Sequence, residues 1–431
     1  MPDAPGWVLI LAAAGALAVG TAIVSLFFAL GRRPNRMWTD EVGELEVEDF
    51  MRPLAALLNV PLRSGGTATL LNDGDDILND MLQAIAGARR SINFMVYIWE
   101  PGRMSDIIFE ALIERTRAGV QVRVLLDGLG GRQCPEDDVD RLRDEGGHVT
   151  TFRPARMGKL MRFHRRNHRR AIVIDGSIAY TGGVAVADHW LGRARNPDEW
   201  RDSMVRVEGC QAENVQSAFA ELWAAGTGEV LTGDSFFPSF DDDGAGSRNL
   251  HSISVVSSPS DEEHPLRVFF FMTFLAARER LWITTPYFVP DRHTREVIKR
   301  RARAGVDVRV LMPGHHTDAW PIRYASHSYF SELLNAGVRV FEYQPTMLHT
   351  KHVVADGRWS VVGSANMDIR SKELNEENVL GILDTTLAAQ LEATFLQDLE
   401  NSREIDRVEW RRRGLHRRAR ERLCVLFAEQ Y

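Results

Sequence analysis

His349-Thr-Lys351 sets an imidazole and an ammonium two residues apart, and Asp356, Gly363, Ser364 and Asn366 follow. A second such pair, His168-Arg-Arg170, is followed by Asp175, Gly182 and Gly183. Residues 171–175 and 353–356 read as buried strands, in which side chains two apart share a face. His168 and Arg170 therefore project together, as do His349 and Lys351. An imidazole beside a cation suits attack on a phosphodiester. The ring acts as nucleophile or general acid, while the cation holds the non-bridging oxygens. The tight turn Gly363-Ser-Ala-Asn366 brings a hydroxyl, an amide and backbone N–H groups to the same oxygens. Two pairs brought face to face make one site with two histidines. Such a site calls for no metal or other cofactor, because cations and amides take the place of Mg²⁺.

The elements that carry these pairs occur twice. Ala118-Gly-Val-Gln-Val-Arg-Val-Leu125 returns as Ala304-Gly-Val-Asp-Val-Arg-Val-Leu311, an offset of 186. The two histidines lie 181 apart, close to that offset. An amphipathic helical pattern precedes each copy (residues 104–117 and 292–303), and an apolar strand-like run precedes each helix (91–99 and 281–289). Strand–helix–strand order with glycine at the helix ends argues an α/β unit made twice. Residues 233–249, rich in Asp, Gly and Ser, read as a solvated linker between the copies.

The pattern H-x-K-x4-D-x6-G-S-x-N of the second copy resembles the HKD motif of the phospholipase D superfamily. Thr285-Pro-Tyr-Phe-Val-Pro-Asp291, Phe341-Glu-Tyr-Gln-Pro345 and Ser360-Val-Val-Gly-Ser-Ala-Asn-Met-Asp368 are similar to bacterial cardiolipin synthases over about residues 67–400. The resemblance implies two tandem α/β sandwich repeats forming one pseudo-twofold site. It also implies a phosphatidyltransferase that joins two phosphatidylglycerols into cardiolipin and glycerol through a phosphatidyl-histidine. A histidine in that role needs an acceptor on its second ring nitrogen, and the superfamily keeps an acid downstream of each motif. Asp202, 34 residues after His168, and Glu377, 28 after His349, take that role here. Asp175 and Asp356 match the family's structural aspartates, bonded to neighbouring backbone. Gly182, Gly183, Ser364 and Asn366 are the expected phosphate-binding turn residues. Two positions depart from the pattern: Arg170 replaces lysine, and Ala185 stands where the second copy has Asn366. The same resemblance admits a phospholipase that uses water, a nuclease, or a decayed protein that only binds anionic lipid.

Residues 6–30 carry no charge and span roughly 37 Å as a helix, enough for the roughly 30 Å of hydrocarbon. With Arg32, Arg33 and Arg36 after it, this stretch is expected to be a single membrane anchor that leaves the body on the cytoplasmic side of the inner or plasma membrane. The expected division is then an anchor at 1–31, linkers at 32–66 and 233–250, repeats at 67–232 and 251–400, and a basic amphipathic tail at 401–431. The net charge is −7, yet residues 402–422 hold nine arginines against four acids. An acidic body speaks against nucleic acid as partner and leaves a membrane and an anionic phospholipid, phosphatidylglycerol, as the expected ones. Three distant cysteines give neither a disulfide framework nor a metal site.

Overall fold

The computed structural model describes Gly15, Gly20 and residues 37–39, 42–154, 165–240, 250–259 and 264–425. The expected anchor, residues 6–30, lies outside the described residues apart from Gly15 and Gly20. No helix among the described residues is long and apolar enough to cross a membrane.

The described residues form eighteen strands: β1 (Leu62–Ser64), β2 (Thr67–Asn72), β3 (Ser91–Val96), β4 (Gln121–Asp127), β5 (His148–Phe152), β6 (Ala171–Ile174), β7 (Ile178–Gly182), β8 (Ser203–Glu208), β9 (His251–Ser257), β10 (Arg280–Thr284), β11 (Phe288–Val289), β12 (Asp307–Pro313), β13 (Arg339–Tyr343), β14 (His352–Ala355), β15 (Trp359–Gly363), β16 (Met367–Asp368), β17 (Glu377–Leu383) and β18 (Ser402–Glu404). A seven-stranded sheet runs β2-β8-β7-β6-β3-β4-β5, a nine-stranded sheet runs β1-β9-β17-β15-β14-β10-β12-β13-β18, and β11 and β16 pair apart from both. Without its edge strands β1 and β18, the second repeats the order of the first, strand for strand. In each sheet three consecutive strands are parallel, β3-β4-β5 and β10-β12-β13, and the strand carrying the motif pairs antiparallel to the first of them. The duplication read from the sequence is a duplication of topology.

Both faces of each sheet are covered, so the strands are apolar almost throughout. Ile172 and Ile174 point outward into a cluster with Ile108 and Leu112 of the helix Arg103–Arg117. Val173, between them, points inward with Phe219 of the helix Ala212–Thr227, Leu387 of the helix Thr385–Glu400, and Val354 of the other sheet. Val353 and Ala355 reach the outer cluster of the second half, with Phe269 and Val297. The layers are thus helix, sheet, helix, sheet, helix, and the shared central cluster locks the halves together.

Two stretches differ from the reading of the sequence. Part of the expected linker at 32–66 is built into the second half: β1 pairs antiparallel with β9, and Phe50 meets the edge of the Trp359 ring at 5.1 Å. The expected tail helix is two helices, Arg407–Arg411 and Leu415–Val425, parted at Gly414.

Candidate active site

Strands β6 and β14 begin at Ala171 and His352, so both imidazole–cation pairs lie on the extended segments just before them. Each segment is stitched to the other half by an isolated parallel bridge, Asn167 to Glu376 and Leu348 to Arg201. The His168 N–H donates to the Glu376 carbonyl at 2.9 Å, and the His349 N–H to the Arg201 carbonyl at 2.7 Å. The residues after those two carbonyls are Glu377 and Asp202.

This crossing decides which acid serves which histidine. His168 Nδ1 lies 3.0 Å from both carboxylate oxygens of Glu377, and His349 Nδ1 lies 2.8 Å from Asp202 Oδ2. Counting along the chain pairs each acid with the histidine of its own copy; the structure pairs it with the histidine of the other. All four are buried, at 8% exposure or less. Trp190 Nε1–H donates to Asp202 Oδ2 at 3.0 Å, and the Ser364 hydroxyl donates to Glu377 Oε2 at 2.5 Å. Rings close the site: Tyr97 stands 5.1 Å from His168, and Trp190 and Trp200 each 5.3 Å from His349.

The cations are arranged alike. Arg170 Nη1 donates to the His168 carbonyl at 2.5 Å and Lys351 Nζ to the His349 carbonyl at 2.7 Å. Arg170 keeps Nε and Nη2 buried with no partner among the described residues. Two buried guanidinium nitrogens whose N–H groups have no acceptor suit the oxygens of a phosphate. Asn366 Oδ1 is likewise buried without a partner, while its backbone N–H is fixed by Ser371 Oγ at 3.0 Å. Ala185 lies within the apolar cluster of the first half.

The two turns differ for a steric reason. A Cβ on Gly183 would stand 2.3 Å from Asp202 Oδ1 and 2.5 Å from Oδ2. The corresponding Ser364 instead hydrogen-bonds to its longer neighbour, Glu377. Gly183→Ser should therefore push Asp202 off His349 and lower turnover by about 10²-fold, since a shift of about 1 Å costs that much. Thermal unfolding beside initial rates checks that the loss is catalytic.

Asp175 and Asp356 do not face the imidazoles. Each sits in the left-handed region, φ 52° and 53°, followed by Gly176 or Gly357 in the same region. Such Asp-Gly pairs turn the hairpins β6–β7 and β14–β15. Asp175 accepts the N–H groups of Arg89, Arg90 and Ser91, and Asp356 those of Arg278, Glu279 and Arg280. Both pin the hairpin to the start of the first parallel strand, β3 or β10.

Several site residues carry no sequence signal of their own. Asn378 accepts from the Arg170 N–H at 3.0 Å and donates to the Arg170 carbonyl at 2.9 Å, crossing the halves once more. Its only hint is its place after Glu377. Tyr97, which belongs to no motif, bears on His168 by ring contact, and the charge of Arg370 bears on the same ring.

Burial, then the charges of Arg170, Lys351 and Arg370, hold His168 well below the usual imidazole value. Burial and then Lys351 bring His349 down to about 3. Burial pushes Glu377 up to about 7 against the pull of Ser364 and Arg170, whereas His349 and Lys351 overcome burial and keep Asp202 low. Burial also lowers Lys351, to about 7. Two limbs follow for kcat/KM. As pH rises through about 7, Lys351 should lose the charge expected to hold a phosphate. As pH falls through about 7, protonated Glu377 donates to His168 Nδ1 and turns the lone pair away from Nε2. Lys351→Arg, which the first half already tolerates at Arg170, should remove the alkaline limb and leave the acid one. A pH profile of kcat/KM for both proteins checks this.

The family model described as "Cardiolipin synthase, PLD-like domain" matches residues 81–223 and 272–399, one stretch in each half. Cardiolipin synthase 2 of Bacillus cereus is 34% identical over 82% of this chain and 68% of its own. Cardiolipin synthase A of Pseudomonas syringae pv. syringae is 34% identical over 88% of this chain and 78% of its own. The crystal structure of phosphatidylserine synthase from Haemophilus influenzae shares the fold, with a TM-score of 0.68 at 16% identity over 88% of this chain and 97% of that one. A duplicated α/β sandwich, two histidine motifs joined across its halves and these identities over most of the chain lead to one conclusion: the chain belongs to the cardiolipin synthase family of phospholipase D-like proteins.

Proposed function

We propose that this chain is a phosphatidyltransferase that condenses two phosphatidylglycerols into cardiolipin and glycerol, with His168 as nucleophile. The observation that carries the reading is the difference between the two histidine–acid pairs. Asp202, held ionised, supports a positive charge on His349. Glu377 shares its proton near neutrality beside His168, and burial holds both imidazoles neutral before phosphate binds, so the contrast lies in the acids. The first pair suits an acid and the second a nucleophile.

In this reading His168 Nε2 attacks the phosphorus of the first lipid. The P–O bond to the glycerol head group breaks, and the His349 imidazolium gives its Nε2 proton to the leaving oxygen. Neutral His349 then takes the proton of a primary hydroxyl on the second phosphatidylglycerol. That oxygen attacks the phosphatidyl-histidine, the P–N bond breaks, and cardiolipin leaves with His168 restored. Arg170, Lys351 and the amide of Asn366 hold the phosphate oxygens. A bound phosphate anion counters the two cations and so raises His349 toward the value an acid needs.

The test is a quench with labelled phosphatidylglycerol in excess EDTA. The expected result is label on His168, acid-labile as a P–N bond is. Label on another residue, or none unless Mg²⁺ or Zn²⁺ is added, would overturn the assignment.

A further inference from the structure

The helix Leu415–Val425 packs with its polarity reversed. Its one acid, Glu421, is turned inward at 1% exposure and held by Arg413 at 3.0 Å and Arg417 at 3.4 Å. Cys424 is buried beside it, against Val289, Ile322 and Ala325. The opposite face carries Leu415, Arg418, Ala419, Arg422 and Leu423 at spacings of three and four, all exposed. Leu415 is 80% and Leu423 57% exposed. A helix serving only its own core would turn these leucines in and the acid out. No carboxylate pairs with Arg412, Arg418, Arg420 or Arg422 among the described residues. The outward face is therefore arginine and leucine interleaved, with no negative charge.

Its neighbours extend the same surface. The helix Trp320–Asn335, on which this one packs, exposes Trp320 at 60%. Trp320 meets Tyr324 at 6.0 Å, and the Arg420 guanidinium lies 3.8 Å from the Tyr324 ring centroid. Indole, phenol, guanidinium and leucine side by side are the chemistry of the boundary between head groups and acyl chains. The surface adjoins the site: Tyr287 packs in the cluster around Cys424 and donates to Asp318 at 2.5 Å, and the charge of Asp318 acts on Lys351.

From this geometry we infer that the face of Leu415–Val425, with Trp320 and Arg420, docks on an anionic phospholipid bilayer and sets the rim of the active site against it. Four arginines with no outward acid complement a negative surface, and the exposed leucines and tryptophan enter the interface. Nucleic acid would satisfy the arginines and leave the leucines in water. The proposal deepens the phosphatidyltransferase reading by naming where the lipid surface lies; it involves no bond-making step.

The test uses the full chain in nanodiscs, so that any anchor is present in every sample. Hydrogen exchange is followed by mass spectrometry over 415–425 in phosphatidylcholine discs and in discs containing phosphatidylserine. At least tenfold slower exchange is expected in the anionic discs. Arg412→Gln with Arg418→Gln and Arg422→Gln should lose that difference, and Leu423→Ser should weaken it. Exchange in the core strands β6 and β14 reports that the variants remain folded. Equal exchange in both discs, undiminished protection in the triple variant, or protection by polyuridylate but not by anionic lipid would overturn the proposal. Since the readout needs no catalysis, it stands or falls apart from whether cardiolipin is made.

Discussion

His168→Ala should abolish the release of p-nitrophenolate from phosphatidyl-p-nitrophenol, while His349→Ala should retain a burst of one equivalent per site. The leaving group explains the difference. Nitrophenolate departs without a proton, so the first half-reaction needs the nucleophile and not the acid. After the burst, His349→Ala has no base for the incoming alcohol and should stall. On phosphatidylglycerol, whose leaving alkoxide needs a proton, both variants should lose about 10³-fold or more in kcat. Stopped-flow absorbance measures the burst directly. A burst in His168→Ala with none in His349→Ala would reverse the two roles, and one in neither would mean that the rings act only together.

Asp202→Asn and Glu377→Gln should sort with the histidine of the opposite half. Removing the carboxylate from a buried histidine loses its tautomer and leaves polar groups unmatched, an effect of about 10²–10⁴-fold. With the p-nitrophenyl substrate, Asp202→Asn should keep the burst as His349→Ala does, and Glu377→Gln should lose it as His168→Ala does. Double variants sharpen this: Asp202→Asn added to His349→Ala should cost little more than His349→Ala alone, as expected for residues acting as a unit. If Asp202 grouped with His168 instead, the bonds at 2.8 and 3.0 Å would have no catalytic meaning.

The parts of this site that were legible in the sequence are those written in local spacing. The offset of the two copies and the pattern around His349 identify the duplication, the motif histidines and the turns. Strand alternation predicted that Arg170 and Lys351 project with their histidines, although both pairs sit one step outside their strands. What stayed hidden is set by chain crossing. The bridges Asn167–Glu376 and Arg201–Leu348 join segments far apart in sequence, so the pairing of acids with histidines has no local signature. Asn378, which clamps the backbone of Arg170 from the other half, is hidden for the same reason. Why glycine stands at 183 and serine at 364 is hidden as well, since the carboxylate of Asp202 fills the space a side chain on Gly183 would take. The sequence reads residues 401–431 as a basic amphipathic tail, but only packing shows which side Glu421 takes and which face is left outward.

The most direct test of the central claim is a product analysis. The purified full chain is incubated with phosphatidylglycerol as sole lipid in detergent micelles, and the products are followed by mass. Cardiolipin and glycerol in equal amounts are the predicted result; phosphatidic acid in place of cardiolipin, or no turnover at all, would contradict it.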